Sequence, residues 1–133
     1  MIFLFLSKRI QNGIVKNQED LNNFLLWMKY RMITAEISLV PVGTGSGTSM
    51  SKEIALAFDA ISGIKELKAT LTPLGTQIQS RNMVDILNAI NIAHEAVKSS
   101  GVQRIISIVH IDERLDKEQN LDQKVDSVMN KLK

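Results

Sequence analysis

The chain has no cysteine among its 133 residues, which excludes a disulfide scaffold, thiolate metal sites and cysteine nucleophiles. It has two histidines, His94 and His110, and without a third soft ligand they do not make a metal centre. Neither sign of charge dominates: 16 Lys and Arg stand against 14 Asp and Glu, too mild a balance to announce nucleic acid. Aromatics number six, and five of them (Phe3, Phe5, Phe24, Trp27, Tyr30) fall in the first 31 residues. Phe58 is left alone beyond them, whereas an RNA-binding sheet displays aromatics on its strands. The longest all-apolar stretch, at the start of the chain through Leu6, falls far short of the roughly 20 residues that span a bilayer. What is present is enough for a core, with 44% apolar and 23% charged residues. These values predict a soluble α/β or α+β domain; the lack of cysteine suits an intracellular protein without requiring one, and the expected setting is the cytoplasm, with no nucleic-acid or membrane partner.

The composition divides near residue 31. Residues 1–31 carry Lys8, Arg9, Lys16, Lys29 and Arg31 against Glu19 and Asp20, whereas residues 32–133 are close to neutral. The first segment is not built as a secretory signal, because its basic pair follows the apolar run instead of preceding it. Leu21, Phe24, Leu25 and Met28 are spaced like one face of a helix over Asp20–Tyr30. Met32 opens a clean strand, so two readings stand: an added or mis-annotated leader before a natural start at Met32, or a short docking helix. The expected organisation is an extension over 1–31 and a domain over 32–133.

Within the domain, Ile33, Ala35, Ile37 and Leu39 alternate with Thr34, Glu36, Ser38 and Val40, a strand with one buried and one mixed face. Pro41 and Gly43–Gly47 end it. Ser49 or Ser51 is placed to cap a helix with the stripe Met50, Ile54, Ala57, Phe58, Ile61, stopped at Gly63. Leu67–Leu71 reads as a second strand, and Pro73 and Gly75 turn the chain into a third over Thr76–Gln79. Asn82 opens a long helix with the stripe Met83, Leu87, Ile90, His94, Val97, closed at Gly101. Arg104–Ile111 is a fourth strand, and Asn120 caps a last helix on Leu121, Val125, Val128 and Leu132. The order β-α-β-β-α-β-α predicts an α+β fold: a ferredoxin-like sandwich on a four-stranded antiparallel sheet, with an additional C-terminal helix.

Such a sheet leaves one face bare. Period two assigns Glu36, Ser38, Val40, Lys68, Thr70, Thr72, Ile106, Ile108, His110 and Asp112 to it, a set too apolar to stay wet and too polar for a core. That predicts pairing with a second copy and a small-molecule pocket at the interface. The Gly43–Ser49 loop lacks both the Walker and the dinucleotide spacing; the hydroxyls of Thr44, Ser46, Thr48 and Ser49 leave an oxyanion or polar ligand group open beside a plain flexible loop. His94, in an apolar stripe, reads as a packed core histidine. His110 and Asp112 share a strand face and leave open an acid–base pair in a small metabolic enzyme. No Gly-x-Ser-x-Gly elbow is present. A structural or regulatory oligomer with an anion effector site at Gly43–Ser49 is the third possibility.

Met32-Ile-Thr-Ala-Glu-Ile-Ser-Leu-Val-Pro-Val-Gly, Leu71-Thr-Pro-Leu-Gly-Thr, Ala93-His94-Glu95 and Arg104 through Ile111-Asp112-Glu113-Arg114, taken together and in order, resemble the small thiamine-binding, YkoF-like proteins over residues 32–133. The resemblance implies a ferredoxin-like protomer, dimers pairing into tetramers, and non-catalytic binding of thiamine or its hydroxymethylpyrimidine moiety with no required cofactor. Thiamine presents an aminopyrimidine, a cationic thiazolium and a hydroxyethyl arm, which a carboxylate and several hydroxyls suit. Glu36, Ser38, Thr72, Thr76 and Asp112 are the candidate ligand residues, with Thr44 from the Gly-rich loop; an inter-subunit salt bridge is the other reading of Glu36. Family members often carry an acidic residue followed by Gly after the third strand, where this chain has Gln79-Ser80. That departure and the lack of a cation–π cradle weigh against tight holding of the cation.

Overall fold

The structure is a computed structural model that describes residues 2–45 and 47–132. The chain divides into two compact units, Met1–Arg31 and Met32–Lys133. The first is a pair of helices, α1 (Ile2–Gln11) and α2 (Gln18–Tyr30). Gly13 turns between them at φ +69°, and the Asn17 carboxamide oxygen accepts the Asp20 N–H at 2.8 Å at the start of α2. The Arg9 guanidinium lies 5.2 Å from the centre of the Phe24 ring, a cation–π contact inside the unit. Sequence spacing anticipated α2 but not α1, whose Ile2–Leu6 run has no helical periodicity of its own.

The second unit runs β1 (Ile33–Val42), α3 (Ser51–Ser62), β2 (Lys68–Leu71), β3 (Thr76–Ser80), α4 (Met83–Lys98), β4 (Arg104–Glu113), α5 (Leu121–Met129). The strands form one antiparallel sheet in the order β2-β3-β1-β4. It is the expected ferredoxin-like α+β sandwich. Ile33, Ala35, Ile37 and Leu39 of β1 and Ile78 of β3 form the sheet side of the core; Ala57 and Ile61 of α3 and Ile86, Ala89, Ala93 and Val97 of α4 form the helix side.

Several local expectations are corrected. The buried stripe of α4 is Ile86, Ala89, Ala93 and Val97, while Leu87 is 53% exposed. Alanine weighs little in a hydropathy pattern, yet small residues are what face the seam where two helices pack closely. His94 is accordingly not a core residue; its Nε2 lies 3.1 Å from the Ser107 hydroxyl on β4. Neither Ser49 nor Ser51 caps α3: their hydroxyls contact each other at 3.2 Å, and Met50 occupies the N-cap position. Asn82 makes no side-chain cap on α4 either; the Ser80 hydroxyl accepts its N–H and donates to Asp85 at 2.6 Å instead. The Asn120 cap is present and reciprocal, the two side chains of Asn120 and Gln123 each accepting the other's N–H.

β1 continues through Pro41, which was expected to end it. The Val42 carbonyl accepts the Gln103 N–H on the β4 side, which turns the Pro41 nitrogen to the opposite edge. β3 pairs with β1 only from Ile33 to Ile37, so the missing N–H costs no ladder bond there.

The face away from the helices is partly occupied by α5. Lys68 Nζ donates to Asp122 at 2.8 Å, Gln79 Oε1 accepts the Leu121 N–H at 3.0 Å, and Lys124 donates to Asp112. Lys68, Gln79, Thr34 and Asp112 are one cross-strand row, so α5 is fastened to the end of that face by its first turn. Its stripe, Val125, Val128 and Met129, with Leu132 just beyond, is exposed.

Ile78 of β3 is fully buried in the core between the sheet and the helices, and Ile78→Ala is expected to cost about 2–5 kcal/mol, read as a lowered urea midpoint at unchanged slope. In the β4–α5 connection Arg114 Nε donates to Asp116 at 2.8 Å, and this bond holds the Asp116 carboxyl below its ordinary value. The unfolded chain therefore binds that proton first, so the contact persists above the usual carboxylate range and is lost only as pH falls through the lowered value. A carboxyl-carbon NMR titration of Asp116 checks it.

Candidate functional site

The site follows from the unequal lengths of the strands. β4 flanks β1 from Ile33 to Val42, but β3 stops opposite Ile37. Beyond that residue one edge of β1 has no strand beside it. The space is closed by the start of α3 above and by the β2–β3 turn at the side, leaving a cavity of about 270 Å³ lined by Ile37–Val40, by Met50, Ile54, Ala57 and Ile61, and by Thr72–Thr76.

The turn is held by Thr72, whose hydroxyl donates to the Gly75 carbonyl at 2.7 Å and accepts the Gly75 N–H at 3.2 Å. Gly75 is required by close approach: a Cβ there would stand 3.0 Å from the Ile37 carbonyl and 3.1 Å from Glu36 Cγ. The motif Leu71-Thr-Pro-Leu-Gly-Thr thus brings the turn against β1 at the mouth of the cavity.

Of the six candidate ligand residues, Ser38, Thr72 and Thr76 line this cavity. Thr76 shares a row with Ile37 and Leu71 and so lies on the helix side of the sheet. It is 6% exposed, and its hydroxyl has no hydrogen-bond partner among the described residues. Glu36 lies on the other face, beside Gly75, and accepts a hydrogen bond from Gln77 Nε2 at 3.3 Å. Asp112 lies two residues further down that face, opposite Thr34, with its carboxylate on Lys124. Thr44 is in the Gly-rich loop outside the cavity, and Ser46, one of the hydroxyls expected there, lies outside the described residues. In that loop Gly43, Gly45 and Gly47 all have φ near +70°. His110 is paired with Glu36 across the strands and is exposed. Among the described residues no cluster of His, Cys, Asp and Glu is arranged to hold a metal ion, and no helix is long and apolar enough to cross a membrane.

Sequence reasoning missed Glu53. It is 2% exposed, one helical turn before Ala57, and its Oε2 has no hydrogen-bond partner. Its position next to the apolar stripe was the available signal.

A profile of the family described as thiamine-binding protein matches residues 35–129. The chain belongs to that family. This thiamine-binding-family chain is 35% identical over 101 residues to a UPF0045 protein of Methanothermobacter thermautotrophicus, covering 76% of this chain and all of that one. It is 31% identical to the UPF0045 protein YqgV of Bacillus subtilis, covering 73% of this chain and 94% of that one. Among solved structures it is similar to a hypothetical protein of Methanocaldococcus jannaschii, at TM-score 0.67 and 32% identity, covering 74% of this chain and 97% of that one. A Thermotoga maritima protein assigned provisionally to thiamine biosynthesis or salvage shares the fold at TM-score 0.61 and 18% identity, covering 73% of this chain and 98% of that one. At the two positions where the resemblance implied an acidic residue and Gly, Gln79 here anchors α5 and Ser80 serves the start of α4.

Two substitutions test the site's construction. Gly75→Val is expected to cost about 1–3 kcal/mol and to disturb the β2–β3 turn, visible as amide shifts at Thr72 and Thr76. Glu53→Leu removes a buried carboxyl with an unsatisfied oxygen, and is expected to stabilise the free protein by about 1 kcal/mol or more in urea denaturation.

Proposed function

We propose that this protein binds thiamine or its hydroxymethylpyrimidine moiety, without catalysis, in the cavity between β1, α3 and the β2–β3 turn. The observation that carries this reading is the set of three hydroxyls, Ser38, Thr72 and Thr76, lining a cavity whose wall is otherwise largely apolar. A few hydroxyls placed in an apolar wall fix the orientation of a ring that bonds them. Membership of the thiamine-binding family supports the ligand class. At about 270 Å³ the cavity lies just below the roughly 300–1,000 Å³ common for ligand pockets. It suits one ring, the pyrimidine, with the thiazolium and its arm directed outward.

The same reading includes a homo-oligomer. Val40, Ile106 and Ile108 are exposed and adjacent on the face that α3 and α4 leave uncovered. A second sheet laid on them buries that patch and brings a partner close to Ser38 and Glu36, where a cavity on one side of β1 meets an interface on the other. A cytoplasmic dimer or tetramer is the assembly proposed.

Calorimetric titration of the full chain with thiamine and with hydroxymethylpyrimidine, alongside light scattering for mass, tests both parts. Saturable binding is expected, weakened roughly tenfold by Thr76→Val if one neutral hydrogen bond is lost. Absence of heat with either ligand overturns the binding role. Ile108→Glu is expected to yield monomers, and a wild-type protein already monomeric overturns the assembly.

A further inference from the structure

The open edge of β1 presents more than side chains to the cavity. Two independent hydrogen-bond patterns fix which way its main chain faces. The Thr72 N–H donates to the Gly75 carbonyl, so Gly75 directs its main-chain groups at β2 and Thr76, the next residue, directs its own at β1, where its register partner is Ile37. Ile37 therefore faces β3, and by the alternation of the strand so do Leu39 and Pro41. The Val42 carbonyl, bonded on the β4 side, gives the same assignment from the other end.

Opposite Leu39 there is no strand, only the turn. Its N–H and C=O both point across the unpaired edge, and neither has a hydrogen-bond partner among the described residues. Yet Leu39 is 7% exposed and lines the cavity. Buried main-chain groups are almost always paired, and here a donor and an acceptor of one residue are unpaired together, beside the unpartnered Thr76 hydroxyl.

We infer that Leu39 is the recognition element of the cavity, and that its N–H and C=O pair with a ring edge carrying an acceptor nitrogen next to an exocyclic amine. The N–H donates to the ring nitrogen and the carbonyl accepts from the amine, as a neighbouring strand residue would pair. This rests on the proposed pyrimidine-binding role and names the part of the ligand that is read: the 4-amino group and the adjacent N3 of an aminopyrimidine. Pro41, next on the same edge, has no N–H to offer, which confines the paired donor and acceptor to one residue and favours a single ring over an extended peptide.

The test compares hydroxymethylpyrimidine with its 3-deaza analogue, in which CH replaces N3, on the full chain. The analogue is expected to bind about tenfold or more weakly, since it leaves the Leu39 N–H buried and unpaired. The Leu39 amide proton is expected to move downfield in 15N-edited spectra with the pyrimidine and not with the analogue. An amide-to-ester replacement at residue 39 removes the N–H and keeps the side chain. It should weaken the pyrimidine about tenfold while changing the analogue by less than about twofold. Tight pyrimidine binding with an unmoved Leu39 amide overturns this assignment and leaves the binding role intact. Failure of the wild type to bind either compound overturns both.

Discussion

Strand β1 is the constraint on which the rest of the domain depends. It lies between β3 and β4, so every second side chain enters the core, and Ile33, Ala35, Ile37 and Leu39 are all buried. A slip of one residue would exchange that set for Thr34, Glu36, Ser38 and Val40. The helix layer closes down on it through small residues: Ala57, Ala89 and Ala93 allow α3 and α4 to approach each other over the sheet. The core is thus narrow and aliphatic, with no aromatic side chain in it.

The proposed site lies where this regular packing is incomplete. Because β3 is half as long as β1, the sandwich has a gap on one side of the central strand, and the turn at Thr72–Gly75 folds over that gap without filling it. Among the described residues, the buried and unpartnered Glu53 carboxyl oxygen lies near this end of α3 and β1, as do the Thr76 hydroxyl and the unpaired edge at Leu39. Departures from local satisfaction concentrate at functional sites in otherwise consistent folds, and here they lie within one helical turn or two strand positions of a single cavity.

Much of this was legible in the residues. Period-two alternation located β1 and its faces, Pro73 and Gly75 marked the turn, and Asn120 marked the start of α5. Three of the six proposed ligand residues, Ser38, Thr72 and Thr76, line one cavity. The rest was obscured for identifiable reasons. The cavity beside β1 was not legible, because the strand length that opens it is not encoded in alternation. The α4 stripe was displaced because alanines at a close helix seam do not stand out from leucines at the surface. Asp112 looked free because the sequence does not show that α5 folds back to bring Lys124 onto it. Main-chain groups leave no trace in side-chain patterns at all, so Leu39 was read only as a core leucine.

The attachment of α5 has a physical consequence of its own. Its fastenings are two ion pairs, Lys68–Asp122 and Lys124–Asp112, each with a carboxylate more than half exposed, and one main-chain bond to Gln79. No apolar residue of the helix is buried. Charges so placed are screened over roughly 8–10 Å at physiological ionic strength and less far in stronger salt, whereas the aliphatic layer beneath is indifferent to it. Ionic strength thus acts on this molecule as a selective solvent: it loosens the helix, uncovers the row Lys68, Gln79, Thr34 and Asp112, and enlarges the free face of the sheet while the sandwich itself stays folded.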